Sequence, residues 1–232
     1  VRVSGVLTVL FLVFNEGYLA TSPDTDPVRS DLTGEAIRLT RLIRALLPAD
    51  GEVAGLLALM LLTEARRTAR VSTSGELVTL DEQDRGAWDT ALIAESHRLV
   101  RERLASGAAP GRYQILAAIN AVHTSAPDVR DTDWSQVIAL YDQLVRLDPS
   151  PVIALNRAVA VAELDGPEVA LAAVNRLEGT LADYHAYHAT RADLLRRLGR
   201  GHEARAAYDK AIELAGNTAE TAYLTRRRDQ LG

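Results

Sequence analysis

Apolar residues recur at three- and four-residue steps along almost the whole chain, and this period constrains the fold more than any other feature. Between Ser30-Asp31 and Pro48 the apolar positions include Ala36, Ile37, Leu39, Leu42, Ile43, Leu46 and Leu47. That spacing lays one buried stripe along an α-helix. A first helix is expected from Val3 to about Ala20, followed by a Ser/Pro/Asp loop from Thr21 to Val28. Asp50 is placed to cap a third helix, and its run Leu56-Leu57-Ala58-Leu59-Met60-Leu61-Leu62 is apolar on every side. A helix of that kind belongs at the centre of a bundle. Composition agrees with a helical chain. Of 232 residues 47% are hydrophobic and only 5% aromatic. So much apolar content argues against disorder, and because β-branched and aromatic residues are not dominant an all-β sandwich is not expected.

The expected fold class is therefore all-α, built of antiparallel helical hairpins. The period breaks once. Val71 to Leu80 has β-prone flanks around Ser74-Gly75, which suggests a small β-hairpin or an ordered loop near residues 71–80. Helix four then runs from beyond Trp88 to about Ala105, and helix five from Arg112 to Ser125. Pro127 to Thr132 is the expected boundary, between a helical region over residues 1–128 and helical repeats over 129–232, the two running on as one unit. In the second half Ser150-Pro151 reads as an N-cap with proline at the first helical position, and Pro167 opens the next helix in the same way. Leu181–Leu198 and His202–Leu214 form a further pair across Gly199-Arg200-Gly201, and Asn217 and Glu220 have capping-box spacing for a last helix.

Ala170 and Ala204 stand 34 residues apart, the period of tetratricopeptide (TPR) repeats. Gly199, Tyr208 and Ala211 surround Ala204 at the spacing such a repeat needs: a turn, a groove-filling ring and a small residue for close helix approach. Around Ala170 the match is thinner, and Tyr141, Leu144 and Pro149 suit the end of a degenerate repeat. The second half is expected to be TPR-like.

Five segments then stand in a telling order: Phe14-Asn15-Glu16-Gly17-Tyr18, Glu35-Ala36-Ile37-Arg38-Leu39, Asp84-Arg85 with Trp88, Thr132-Asp133-Trp134, and Pro149-Ser150-Pro151-Val152 through Leu155-Asn156-Arg157-Ala158-Val159-Ala160. Together they resemble the C-terminal extension of a group of bacterial extracytoplasmic-function RNA polymerase sigma factors, in which a TPR-like helical region follows the usual sigma regions. The chain departs from that group at Gln114–His123 and at Thr63, where the group usually has histidine. The chain begins Val1-Arg2-Val3, and its only methionine is Met60; it reads as a piece of something longer. The resemblance implies a regulatory domain of an alternative sigma factor. Such a domain modulates transcription initiation through intramolecular or protein–protein contacts with its own sigma core or a regulatory protein. RNA polymerase and promoter DNA would be bound by sigma regions outside this chain. A stand-alone TPR-like adaptor and a helical small-molecule sensor are the alternatives.

The net charge of −5 gives no general pull toward DNA or anionic lipid, so no direct nucleic-acid contact is expected. The absence of cysteine excludes disulfides and thiolate metal sites and fits a cytoplasmic location. The apolar run Val6–Phe14 is too short to span a bilayer, and no membrane segment is expected. His185 and His188 lie three apart, but there is no His-Glu-x-x-His, no Gly-x-Ser-x-Gly and no phosphate-binding loop. The expectation is of no enzyme, no catalytic residue, no metal and no cofactor.

Binding candidates are the polar residues set at helix ends. Asn15, Glu16 and Tyr18 either ring a pocket or satisfy backbone groups, with Glu16 a partner for Arg66 or Arg67. Arg66, Arg67 and Arg70 share one helix end, where they suit the macrodipole or an anionic partner. Asp84, Arg85 and Trp88 close the same cleft or join an internal charge network. Thr132 is expected to cap the helix begun by Asp133 and Trp134, with Trp134 as a core anchor. Asn156 and Arg157 interrupt an apolar helix and suit a concave binding groove. Arg226-Arg227-Arg228 reads as a solvated helix face.

Overall fold

The computed structural model describes residues 3–18, 29–70 and 77–231. The described residues are all-α. Leu77 takes part in a single bridge, and no strand is formed. Residues 71–76 of the expected hairpin, and all of the Thr21–Val28 loop, lie outside the described residues. The chain divides between Asp133 and Trp134 into two compact units, with Leu77 grouped with the second.

The first unit contains α1 (Val3–Tyr18), α2 (Ser30–Leu46), α3 (Gly51–Glu64), α4 (Arg67–Arg70), α5 (Thr90–Ala105) and α6 (Arg112–Ser125). As its all-round apolarity requires, α3 sits at the centre and packs against α1, α2, α5 and α6. Every residue from Val53 to Leu62 is buried. The Asp50 carboxylate accepts hydrogen bonds from Glu52 N–H at 2.9 Å and Val53 N–H at 3.1 Å, which starts α3 at the expected residue. One turn in, Gly55 lets the backbone of α6 approach. A Cβ there would lie 2.5 Å from Gln114 N. Glu52 uses the proximity: its two carboxylate oxygens accept from Tyr113 N–H (3.1 Å) and Gln114 N–H (3.2 Å) at the start of α6. An acidic side chain from one helix thus satisfies the exposed donors of another.

In the second unit α7 (Trp134–Leu147), α8 (Pro151–Leu164), α9 (Pro167–Asn175), α10 (Glu178–Leu181), α11 (His185–Arg197), α12 (Gly201–Leu214) and α13 (Thr218–Asp229) pack mainly as successive hairpins. Ala170, Val174, Ala192, Leu195, Ala204 and Ala211 are completely buried between them, with Tyr187 and Tyr208 as the largest core side chains. Gly199 ends α11 at φ +72°, and Arg200 N–H closes back on Leu195 O at 2.9 Å, the bond pattern that a left-handed glycine permits. Asn217 Oδ1 accepts from Glu220 N–H at 2.8 Å and starts α13.

Four local expectations need correction. The helix expected over Leu181–Leu198 is interrupted between α10 and α11, and Tyr184 N–H bonds to Leu181 O in the break. Pro151 does open α8, but the Ser150 side chain makes no capping bond. Thr132 does not cap α7: its hydroxyl is buried without a hydrogen-bond partner, and its N–H closes the 3-10 turn Val129–Asp131. The Arg226–Arg228 run is not a solvated face. Arg227 reaches Asp193 at 3.5 Å and Arg228 reaches Asp209 at 3.0 Å, so both fold back onto α11 and α12.

Candidate functional site

The polar residues singled out in the first half converge on the end of α3 and the C-terminal end of α6. The Phe14–Tyr18 segment contributes mostly structure. Phe14 is buried and stacks with Tyr18. Gly17 admits the start of α2: a Cβ would meet Arg29 O, Leu32 Cβ and Thr33 N at 2.8 Å, and Gly17 O accepts from Arg29 N–H. Asn15 is exposed and Glu16 half-buried. Arg70 lies over the Tyr18 ring with its guanidinium carbon 3.4 Å from the centroid, and donates to Tyr18 O at 3.2 Å.

Adjacent arginines at the end of α3 have different surroundings. Arg67, itself exposed, pairs with the largely buried Glu64 side chain at 2.8 Å. Arg66 turns inward. Its Nη2 donates to Asn120 Oδ1 at 3.0 Å and its Nε to Leu62 O at 3.3 Å, and burial holds the guanidinium below its ordinary pKa. Asn120 is itself fixed by a bond from Nδ2 to Leu116 O. The hydrogen bonds of Arg66 therefore go to neutral oxygens, not to Glu16, for which Arg66 or Arg67 is the expected cationic partner.

The Asp84–Trp88 segment is a single capped turn. Asp84 Oδ1 accepts from Gly86 N–H at 2.9 Å. The turn points Arg85 at the end of α6, where Nη1 donates to His123 O (2.7 Å) and Ala126 O (2.8 Å). These are carbonyls that a helix C-terminus leaves without intrahelical donors. The Arg85 guanidinium also lies 4.6 Å from the Trp88 ring centroid, and Trp88 is only 6% exposed. Asp89 N–H to Ala65 O (2.9 Å) and Thr68 Oγ1 to Ala87 O (2.8 Å) stitch this turn to the end of α3 and to α4.

His123 sits beside both buried-side arginines. Burial, then the charges of Arg66 and Arg85, lowers its pKa to about 4. It is neutral at pH 7, and the charge of the cluster belongs to the arginines. Sequence reasoning gave no part to Asn120, Glu52, His97 or Arg101. Only Glu52, in the first turn of an apolar helix between Gly51 and Gly55, carried a recognisable local signal.

Asn156 and Arg157 belong to the second unit. Asn156 is exposed on α8, and Arg157 Nε donates to Asp142 Oδ1 at 2.7 Å, tying α8 to α7. His185 approaches Glu220 at 3.4 Å, and His188 Nε2 is 2.7 Å from Ala182 O. Among the described residues no cluster of histidines and carboxylates is suited to hold a metal ion. Nor is any helix of the described residues long and apolar enough to cross a membrane.

Residues 2–104 match a family of unknown function, DUF6596. The chain is 46% identical over 230 residues to an uncharacterized protein of Rhizobium meliloti (strain 1021), an alignment that takes in 99% of this chain and 54% of the relative. The chain thus spans about half the length of the curated relative it matches. No solved structure matches.

Proposed function

We propose that the chain is the regulatory C-terminal part of an alternative sigma factor, and that it modulates transcription initiation through intramolecular or protein–protein contacts. The observation that carries this reading is the ordered set of five segments, from Phe14–Tyr18 to Leu155–Ala160, which resembles the C-terminal extension of that group. Several of these segments do specific packing work: Gly17 admits α2, and the Asp84–Trp88 turn closes the end of α6. A relative almost twice as long supports the idea that such a chain serves a larger protein. In this reading RNA polymerase and promoter DNA are bound by other regions of that protein, in the cytoplasm, and this part neither catalyses a reaction nor touches nucleic acid. The second unit acts as a TPR-like scaffold, with the small residues Ala170 and Ala204 and the ring of Tyr208 buried where a 34-residue repeat needs them.

The test is run-off transcription with core RNA polymerase, using the full-length Rhizobium relative and the same protein lacking the region that matches this chain. The expected result is an altered transcript yield from an unaltered set of promoters. Equal yields with and without the region refute the proposal.

A further inference from the structure

Beside the arginine cluster, and sharing Arg85 and Trp88 with it, the first unit holds a pocket of about 620 Å³ between α5 and the C-terminal end of α6. That volume lies within the range of small-ligand sites. Its wall combines an apolar surface from Trp88, Ile93 and Pro127 with Arg85, His97 and Arg101, and none of its lining residues is acidic. Arg101 stands one turn beyond His97 on α5. It forms no hydrogen bond or ion pair among the described residues. Arg85 uses Nη1 on two carbonyls and leaves Nη2 without a hydrogen-bond partner, and Trp88 Nε1 is likewise unpartnered. Both atoms are enclosed by protein, so a ligand in the pocket meets Arg85 and Trp88 through the rest of their side chains. His97 Nε2 is held by Thr124 Oγ1 at 2.8 Å, which fixes the ring in the wall. Asp128 and Asp131 act on the Arg85 charge from outside the pocket lining, and Asp128 itself forms a two-point pair with Arg130 at 2.9 and 3.1 Å.

We infer that this pocket binds a small organic carboxylate. Its apolar body lies against Trp88, Ile93 and Pro127, and its carboxylate engages the Arg101 guanidinium, with the positive charge of Arg85 beside it. The planar fork of arginine suits a carboxylate, and an apolar wall favours a ligand whose charge is confined to one end. The inference stands on the pocket alone and is independent of the sigma-factor reading.

The probes are naphthalene-2-carboxylate and its neutral counterpart 2-naphthalenemethanol, titrated calorimetrically into the 232-residue chain. The carboxylate is expected to bind saturably and about tenfold more tightly than the alcohol. Arg101→Gln, a change at an exposed position, should reduce carboxylate affinity about fivefold while leaving the alcohol unaffected. Ala94→Trp, which fills the pocket from its exposed side, should abolish binding of both. Circular dichroism of each variant confirms that it folds. No saturable binding up to about 10 mM, equal affinity for acid and alcohol, or binding that survives Ala94→Trp would each overturn the inference.

Discussion

Gly55→Ala is expected to destabilise the first unit even though alanine is the better helix former. The new Cβ would lie 2.5 Å from Gln114 N and 2.8 Å from Gln114 Cα and Tyr113 C. All three are backbone atoms, so no side chain can rotate away. Ordinary contact begins at roughly 3.5 Å, so α6 must retreat by about 1 Å. The Glu52 hydrogen bonds to Tyr113 and Gln114, now 3.1 and 3.2 Å, would then lie outside bonding range. Overpacking of this kind costs about 1–3 kcal/mol, and the loss of two bonds to a carboxylate about 2 kcal/mol more. The helix-propensity gain of Ala over Gly returns about 1 kcal/mol. The net loss is about 2–4 kcal/mol, of the order of 10 °C in melting temperature for a unit this size. Gly34 is the internal control. It is exposed in the second turn of α2, and a Cβ there has nothing within 4 Å. Gly34→Ala should stabilise by about 1 kcal/mol. Urea unfolding followed by circular dichroism measures both. Opposite signs are expected; a Gly55→Ala variant as stable as Gly34→Ala would refute the packing of α6 on the α3 backbone.

Three further outcomes follow from the same geometry. Arg85→Met keeps the apolar stem but removes the donor to His123 O and Ala126 O and the charge over Trp88; a loss of about 2 kcal/mol is expected in denaturant unfolding, and a neutral substitution would count against Arg85 as the cap of α6. His123 has its pKa lowered to about 4 by burial and by Arg66 and Arg85, so its ring protons should show no titration by NMR between pH 5.5 and 8. Below about pH 6.5, where the unfolded chain takes up the proton first, stability should fall toward pH 4, and His123→Asn should flatten that part of the profile. His185 shows the opposite sign: its hydrogen bond to Glu220 raises its pKa, so the stability it contributes is full below about pH 6.5 and is lost as pH rises through the higher folded value. The melting-temperature advantage over Glu220→Gln should therefore shrink from pH 5.5 to pH 8.5, and a constant difference would refute the pairing.

Much of the helical layout was legible because its signals are local. Asp50 and Asn217 act as caps at the expected residues, Pro151 and Pro167 open helices, and the all-round apolar α3 lies at the centre of its unit. The errors arose where a local signal had a tertiary competitor. Thr132 has the chemistry of a cap but is itself buried at the end of a 3-10 turn. The arginines at 226–228 read as a polar surface, yet acidic residues on α11 and α12 draw two of them inward. For the candidate site, Arg66, Arg85 and Trp88 were legible as a group, but their real partners were not. Backbone carbonyls of His123 and Ala126 and the amide of Asn120 carry no distinguishing sequence signal, since any residue supplies a carbonyl.

The sequence by itself determined an all-α chain, with many of the starts and stops of its helices, because capping and the 3.6-residue period act within a few residues of one another. Only the tertiary structure decided which of two neighbouring arginines is enclosed and which is solvated. Arg66 and Arg67 are chemically equal, and one step of about 100° around the helix axis points the first at α6 and the second at water. The same holds for the pocket beside Trp88, whose walls come from segments some thirty residues apart in sequence. That juxtaposition follows from how α5 and α6 pack on α3, and helical periodicity carries no record of it.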